Sequence, residues 1–371
     1  MSTTSPDPRA PGLPRSAVLL ISIGGAALGA AALHGAAGIV APMMLALVLT
    51  IAVLPIGAAA RRHRWPGWLA TLAALVSAYA ILAVLVFGAT LCMVKLAGIL
   101  PTYAGKATDL TDQVQSWLKS MGLDNASSEK ALQQIDPAKV THLLESMLSG
   151  ILGAFGDLFL LVTLMFFFVT AVPGFAPRMG ALSRSKPELT VSLSRFVNST
   201  QRYLVMTALF GAIVAVLDTG ALWLLAVPLP LVWGFFSFLT NFIPNIGFVI
   251  GVVPPALLAL LDSGWQSMVA VIVVYSVLNV IIQTFIQPRF VGATVGLSAE
   301  VTFLSLVVWT FLLGALGALL AVPMTLLVRA IFIDADRRAS WVTPLIASSV
   351  DPEDEPAPGA TDTAGHAAPA P

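Results

Sequence analysis

The sequence predicts an all-α, polytopic integral membrane protein. Of its 371 residues, 57% are hydrophobic and only 10% are charged, and the mean hydropathy is +0.90. Because a soluble domain carries about 25% charged residues, this chain has too few charges to cover a water-facing surface. No charged residue lies between Arg15 and Arg61. Runs such as LLVTLMFFFV at 160–169 lack the alternation of barrel strands, so helices are expected.

Eight apolar segments reach or approach the length of about 20 residues that a helix needs to cross the hydrocarbon core. They are 17–33, 39–60, 66–96, 149–172, 203–228, 230–261, 265–287 and 301–333. The first follows Arg9 and Arg15 and has the look of a signal peptide. Since seven more apolar segments follow it, we interpret it as a retained anchor.

The distribution of arginine and lysine predicts the orientation, because cytoplasmic loops carry an excess of positive charge. Basic clusters precede the first segment, separate the second from the third, fill the 173–202 loop and follow the last segment. All four clusters are cytoplasmic if both termini are inside. The 97–148 region is then extracytoplasmic, and its four lysines against six acids agree with that side.

The chain therefore divides into five regions. Residues 1–14 and 339–371 are expected to be disordered and cytoplasmic, since they are rich in proline and polar residues. Residues 15–96 hold three transmembrane helices, and 149–338 hold the remaining core. Between them, 97–148 predicts two amphipathic helices, the second beginning at Pro137 after a capping Asp136. They are expected to pack on the membrane surface or on each other; a ligand-capturing cap is the alternative.

Two of the apolar segments do not suit a simple crossing. Residues 230–261 would form a helix of about 48 Å at 1.5 Å per residue, and NFIPNIG at 241–247 interrupts it with Pro244 and Gly247. Freed backbone groups must be buried in protein or line a wet cavity, so a re-entrant hairpin is predicted. The 301–333 segment shows a related pattern. If both re-enter, six helices cross; if both span, eight cross, and the termini stay inside in either arrangement.

Two acids lie within apolar segments and are candidates for coupling ion flux to transport. Asp218 is the deeper by sequence, and Asp157 lies nearer the outer end of its segment. A charge at mid-bilayer costs about 2.5–3.5 kcal/mol, and the apolar setting favours the neutral carboxyl, which suits a proton carrier. The simpler interpretation is a structural acid that hydrogen-bonds a neighbouring helix.

Further polar and flexible positions complete the predicted pathway. Asn279, Gln283 and Gln287 are spaced i, i+4, i+8, so they share one helix face and either line a path or bond neighbouring helices. Asn241 and Asn245 flank Pro244 at the predicted hairpin tip, beside Gly247, where half-helix ends bind ions or substrate in many transporters. Hinge or packing roles are predicted for Gly251, Pro254, Pro255, Gly314, Gly317 and Pro323.

Several other classes of protein find no support in the sequence. The only cysteine is Cys92, the four histidines are scattered outside the apolar segments, and there is no GxxxxGK[ST] motif. We therefore predict no metal site, no cofactor and no enzymatic activity. The net charge of zero gives no indication of nucleic-acid binding.

The chain resembles the autoinducer-2 exporter family of bacterial permease-like membrane proteins, most specifically in its second half. The resemblance rests on Arg202-Tyr203-Leu204, on VPLPLVWGFFSFLTNFIPNIGFVIGVVPPALLAL at 227–260, on IQPRFVG at 286–292 and on LSLVVWTFLLGALGALLAVPMTLLV at 304–328. It covers roughly residues 15–335 and implies a homo-oligomeric transporter of the bacterial inner membrane. Some members of that family are linked to export of the quorum signal, and others to exchange of sodium or lithium for protons.

The predicted function is export of a small polar solute driven by an ion gradient. A sodium or lithium/proton antiporter is the first alternative, and an envelope scaffold without transport activity is the second. The expected partners are the lipid bilayer and either the solute or a monovalent cation with protons. A scaffold would keep its phenotype after loss of both Asp218 and the Pro244 motif.

Overall fold

The computed structural model describes residues 15–120, 137–244, 246–287 and 297–335, and it is helical with short turns and no strand within those ranges. For residues 15, 18, 19, 100–157 and 284 the side chains are not described. The helices are α1 Arg15–Gly35, α2 Ala37–Arg62, α3 Gly67–Ser120, α4 Pro137–Ser185, α5 Pro187–Leu224, α6 Pro230–Thr240, α7 Gly247–Ser263, α8 Trp265–Val280 and α9 Ala299–Phe332.

The helices have the length and composition of a polytopic membrane protein, as predicted. Six of them in the described ranges, namely α2 to α5, α8 and α9, contain an apolar stretch long enough to cross a bilayer, whereas α6 and α7 are shorter. Many large apolar side chains on these helices are exposed, among them Phe87, Phe167 and Val216. Exposed apolar surface on this scale suits contact with lipid.

In the described parts of 97–148 and 173–202, the helices are longer than the sequence predicted. Helix α3 continues from the third apolar segment to Ser120, and the helix beginning at Pro137 continues to Ser185. The predicted amphipathic helices are thus extensions of the membrane helices, and Gly98 and Pro101 lie inside α3 without ending it. The segment 173–202, predicted as a loop, is helical apart from Lys186, where Pro187 starts α5.

The described residues divide into two compact units. The first lies within Met1–Pro173 and Ser305–Met324, and the second within Gly174–Leu304 and Thr325–Pro371. In the first unit, α2, α3 and α4 pack through a core that includes Val53, Ala78 and Met165. Small alanines at the contact allow the helix backbones to approach closely. The Tyr79 hydroxyl donates to the carbonyl of Val162 at 3.1 Å and ties α3 to α4.

Within the first unit, α9 reverses direction at Gly314, as the sequence predicted for its 301–333 segment. Gly314 has φ 68° and ψ −150°, a conformation that is essentially restricted to glycine. A Cβ at Gly317 would overlap the carbonyl oxygen of Trp309. In a straight helix these residues would be about 12 Å apart along the axis, so the chain folds back on itself. Pro323 is buried inside the helix and does not end it.

The second unit contains the other predicted hairpin. Helices α6 and α7 are joined by a turn around Pro244, and a Cβ at Gly247 would overlap the carbonyl oxygen of Thr240. The two short arms therefore pack directly on each other. Pro254 and Pro255, for which a hinge or packing role was predicted, lie inside α7 without ending it.

Candidate functional site

The candidate site is centred on Asp218, which projects from α5 inside the second unit. Its side chain is 1% exposed, and neither carboxyl oxygen has a hydrogen-bond partner among the described residues. A buried polar group left without a partner costs about 1–3 kcal/mol, and more if it is charged. Buried polar groups in native folds are satisfied as a rule, so this carboxyl group is expected to carry a proton or to contact a water or an ion.

Two hydroxyl groups on neighbouring helices face the same space. Ser237 on α6 and Tyr275 on α8 are both buried, and neither hydroxyl forms a hydrogen bond within the described part of the chain. Asp218, Ser237 and Tyr275 line the same small space, although their oxygen atoms do not meet hydrogen-bond geometry with one another. Helices α5, α6 and α8 thus place four oxygen atoms close together, and none of the four has a hydrogen-bond partner among the described residues.

A cavity of about 10 Å³ connects these groups. That volume accommodates about one water molecule or a small cation. Asp218, Ser237, Thr240, Asn241, Tyr275 and Asn279 supply its polar lining, together with Val214, Phe248 and Gly251. The lining is rich in oxygen atoms and has no basic side chain, so the site suits a proton, a water or a monovalent cation rather than an anion.

Glycines allow α5, α6 and α7 to approach closely around this cavity. A Cβ at Gly234 would overlap the Thr219 hydroxyl, so α6 lies directly against α5 one residue beyond Asp218. A Cβ at Gly251 would lie 3.0 Å from Thr240 Oγ1 and 3.6 Å from Ser237 Oγ. The small residue on α7 therefore makes room for the hydroxyls of α6.

The predicted residues at the hairpin turn lie at different distances from the site. Asn241 lines the cavity, and its Nδ2 donates to the Thr207 carbonyl at 3.3 Å, which anchors the turn to α5. Pro244 is half-buried in the turn, and Gly247 packs against Thr240. The predicted position Asn245 lies outside the described residues.

The predicted row of amide side chains at Asn279, Gln283 and Gln287 is only partly aligned. Asn279 lies in α8, and the other two residues follow that helix. Asn279 is buried, lines the cavity and donates to the Tyr275 carbonyl at 3.0 Å, while Gln283 Nε2 donates to Asn279 Oδ1 at 3.0 Å. Residues Ile281–Ile286 form a π-helical turn, and the backbone N–H of Gln287 donates to the Ile282 carbonyl. Gln287 is half-buried, and the wider turn shifts it relative to the α-helical spacing on which the prediction rested.

The structure thus brings four of the predicted residues together at one cavity, namely Asp218, Asn241, Gly251 and Asn279. Gly314, Gly317 and Pro323 belong to the other unit. Asp157 lies in α4, and its side chain is outside the described residues. Among the residues that the structure describes, no group of three His, Cys, Asp or Glu side chains comes together in a way that holds a metal.

Three polar residues of the site were missed in the sequence. Ser237 and Thr240 looked like ordinary residues of an apolar segment. Tyr275 was not included with the predicted row of amide side chains that begins at Asn279. A usable signal was present, because Tyr275 precedes Asn279 by four residues and Ser237 precedes Asn241 by four. Residues at that spacing share a helix face.

The fold and this site define a polytopic membrane transporter with broken helices around a buried polar cavity. A family described as "AI-2E family transporter" matches residues 17–336. The chain is 30% identical over 296 residues to "AI-2 transport protein TqsA" of Escherichia coli K12, covering 79% of this chain and 85% of the relative. It is equally similar to "Putative transport protein YhhT" of the same organism, with 80% and 84% covered. The chain belongs to the AI-2E transporter family.

Proposed function

We propose that this transporter exports a small polar solute and that Asp218 couples the export to an ion gradient. The observation that carries the proposal is the burial of both Asp218 carboxyl oxygens, without a partner among the described residues, at an oxygen-lined cavity. A buried carboxylate is strongly disfavoured unless it is paired or protonated. The carboxyl group can therefore alternate between a bound proton and a partner that enters the cavity.

The neighbouring hydroxyls suit both forms of the carboxyl group. Hydroxyls of Ser237 and Tyr275 can donate to a carboxylate, and Ser237 can also accept from the neutral acid. Because these groups come from α5, α6 and α8, a change in the charge of Asp218 alters the contacts that hold the hairpin against α5 and α8. That gives the site a physical means of linking ion binding to movement of the hairpin.

The proposed energy source is the ion gradient, which supplies about 2.3 kcal/mol per charge per 100 mV. The solute path is proposed to pass the hairpin turn and the Asn279–Gln283 pair, where amide groups can bind a polar solute. The name of the first relative concerns autoinducer-2, which makes that molecule the first solute to test. Membership of a transporter family also supports a transport role rather than an enzymatic one.

Uptake into inside-out membrane vesicles tests this proposal. Vesicles from cells that produce the protein are expected to accumulate autoinducer-2 when a proton gradient is imposed, and a protonophore should abolish the accumulation. Vesicles from cells with an empty vector provide the background. Equal uptake in the two preparations would contradict export of this solute.

A sodium or lithium/proton antiporter is the second candidate, favoured by the oxygen-rich lining and the single-ion volume of the cavity. Proteoliposomes with a trapped pH dye distinguish it. Pulses of sodium or lithium should move protons in the antiporter case without any organic solute, compared with empty liposomes. If neither cation moves protons, solute export remains as the function.

We further propose a homo-oligomer in the bacterial inner membrane with both termini in the cytoplasm. If 230–261 and 301–333 re-enter, position 289 is also cytoplasmic. An Arg289→Cys variant in a Cys92→Ala background is expected to react with an impermeant thiol reagent only from the cytoplasmic side. Reaction only from the outside would contradict the arrangement with two re-entrant hairpins.

A thiol reagent also tests the proposed path. Gln283 is exposed while its amide bonds the cavity residue Asn279, so the modified side chain of Gln283→Cys is expected to block transport. Exposed Gln266 at the start of α8 provides the control, because Gln266→Cys places a thiol on the same helix away from the cavity. Full activity of modified Gln283→Cys would indicate that this amide only bonds a neighbouring side chain.

A further inference from the structure

One exposed face of α5 changes character along its length. Along about its first four turns this face exposes mainly polar and basic side chains together with Val191, and the following turns expose apolar ones. The polar part includes Ser194, Arg195, Asn198 and Arg202, and the apolar part includes Val205, Leu209 and Val216. The spacing of 195, 198, 202, 205, 209 and 216 keeps these residues on one continuous stripe.

The polar part forms a groove of about 440 Å³. Arg195 and Arg202 lie along it with Asn198 between them, and the rest of its lining is Thr190, Val191, Ser194 and Ser199. Guanidinium, amide and hydroxyl groups are donors that bind phosphate oxygens. Two arginines separated by seven residues are about 10 Å apart along the axis, so their long side chains can reach one phosphodiester.

The positive charges of this region are only partly balanced by nearby acids. Arg195 is 59% exposed, and its contact with Asp334 is long, at 3.7 Å. Asp334 also accepts from Arg329 Nε at 3.3 Å, so one carboxylate is shared between two guanidinium groups. Arg202 is exposed and makes no ion pair within the ranges that the structure describes. The groove therefore retains positive charge and free donors.

The apolar part of the stripe has the length of one lipid leaflet. From Val205 to Val216 the helix rises about 16 Å, close to half of the roughly 30 Å hydrocarbon core. A ligand that fits the whole stripe has an anionic phosphate at one end and an acyl chain at the other. Inorganic phosphate matches only the groove and leaves the apolar continuation unexplained.

We propose that this face of α5 binds the headgroup of an anionic phospholipid. The lipid phosphate lies in the groove between Arg195 and Arg202, and an acyl chain lies along Val205, Leu209 and Val216. Basic pockets next to membrane helices bind anionic headgroups in this manner. The proposal requires α5 to cross the bilayer and is independent of the transported solute.

Native mass spectrometry of the detergent-solubilised protein tests the site. Phosphatidylglycerol is expected to stay bound at concentrations where phosphatidylcholine dissociates. The Arg195→Gln/Arg202→Gln variant should bind phosphatidylglycerol about thirtyfold more weakly, as expected for the loss of two phosphate-facing arginines. If loss of the Asp334 contact impairs folding, Arg202→Gln alone should show about a fivefold loss.

The matched control is Arg178→Gln/Arg184→Gln, which removes the same charge from exposed positions of α4 outside the groove. It should bind phosphatidylglycerol like the unmodified protein. Equal loss in both double variants would mean general charge attraction and would overturn the site. Competition by inorganic phosphate at similar affinity to the lipid would identify a phosphate site and would also overturn the lipid proposal.

Discussion

An Asp218→Asn variant is expected to lose ion-coupled transport while it keeps its fold. The amide has nearly the same shape as the carboxyl group but cannot bind or release a proton. Cation-driven proton movement, or proton-driven solute uptake, should fall by more than about tenfold, the effect of losing about 1.4 kcal/mol or more of coupling. Transport by purified protein in proteoliposomes measures the change.

The stability of this variant should change little, because the carboxyl group has no hydrogen-bond partner to lose among the described residues. We expect the free energy of unfolding to stay within about 1 kcal/mol. Asp262→Asn is the control, since Asp262 is exposed at the end of α7 and accepts a hydrogen bond from the neighbouring Ser263 hydroxyl at 3.2 Å. Normal coupled transport by Asp218→Asn would make Asp218 a structural residue.

A Gly317→Ala variant is expected to be strongly destabilised. The added methyl group would overlap the Trp309 carbonyl oxygen and lie 2.9 Å from Leu313 Cβ. A backbone carbonyl cannot move aside like a flexible side chain, so the two arms of the α9 hairpin must separate. Overpacking of this kind typically costs about 1–3 kcal/mol and occasionally more.

The thermal midpoint and the folded fraction after extraction in mild detergent measure this effect. Gly220→Ala is the matched control, because a Cβ there meets no atom within 4 Å and alanine favours a helix interior. That variant should be as stable as the unmodified protein or slightly more stable. A Gly317→Ala protein as stable as Gly220→Ala would contradict the close packing of the hairpin arms.

The fold class and the two helix breaks were predictable from the sequence. Charge-free stretches of membrane length indicate the helices, and Pro244 or Gly314 marks the places where a helix cannot continue. The length of α3 was not predictable in the same way. Amphipathic and apolar patterns both suit an α-helix, and Gly98 and Pro101 between them do not reveal that one helix continues through both patterns.

The candidate site was predicted only in part. Asp218, Asn241 and Asn279 stand out because polar residues are rare in apolar segments. The hydroxyls of Ser237 and Tyr275 are common in membrane helices and become notable only when three helices converge on one cavity. The prediction for the amide side chains assumed a regular α-helix. Because Ile281–Ile286 form a π-helical turn instead, Gln287 aligns less well with Asn279 than the spacing suggested.

The central claim is that the Asp218 carboxyl group exchanges a proton as the transporter works. Infrared difference spectroscopy of the reconstituted protein, with isotope-labelled aspartate, measures this directly. On addition of the coupling cation or on raising the pH, we predict loss of a protonated-carboxyl band that is absent from Asp218→Asn and present in Asp262→Asn. An identical difference spectrum for the unmodified protein and Asp218→Asn would contradict the claim.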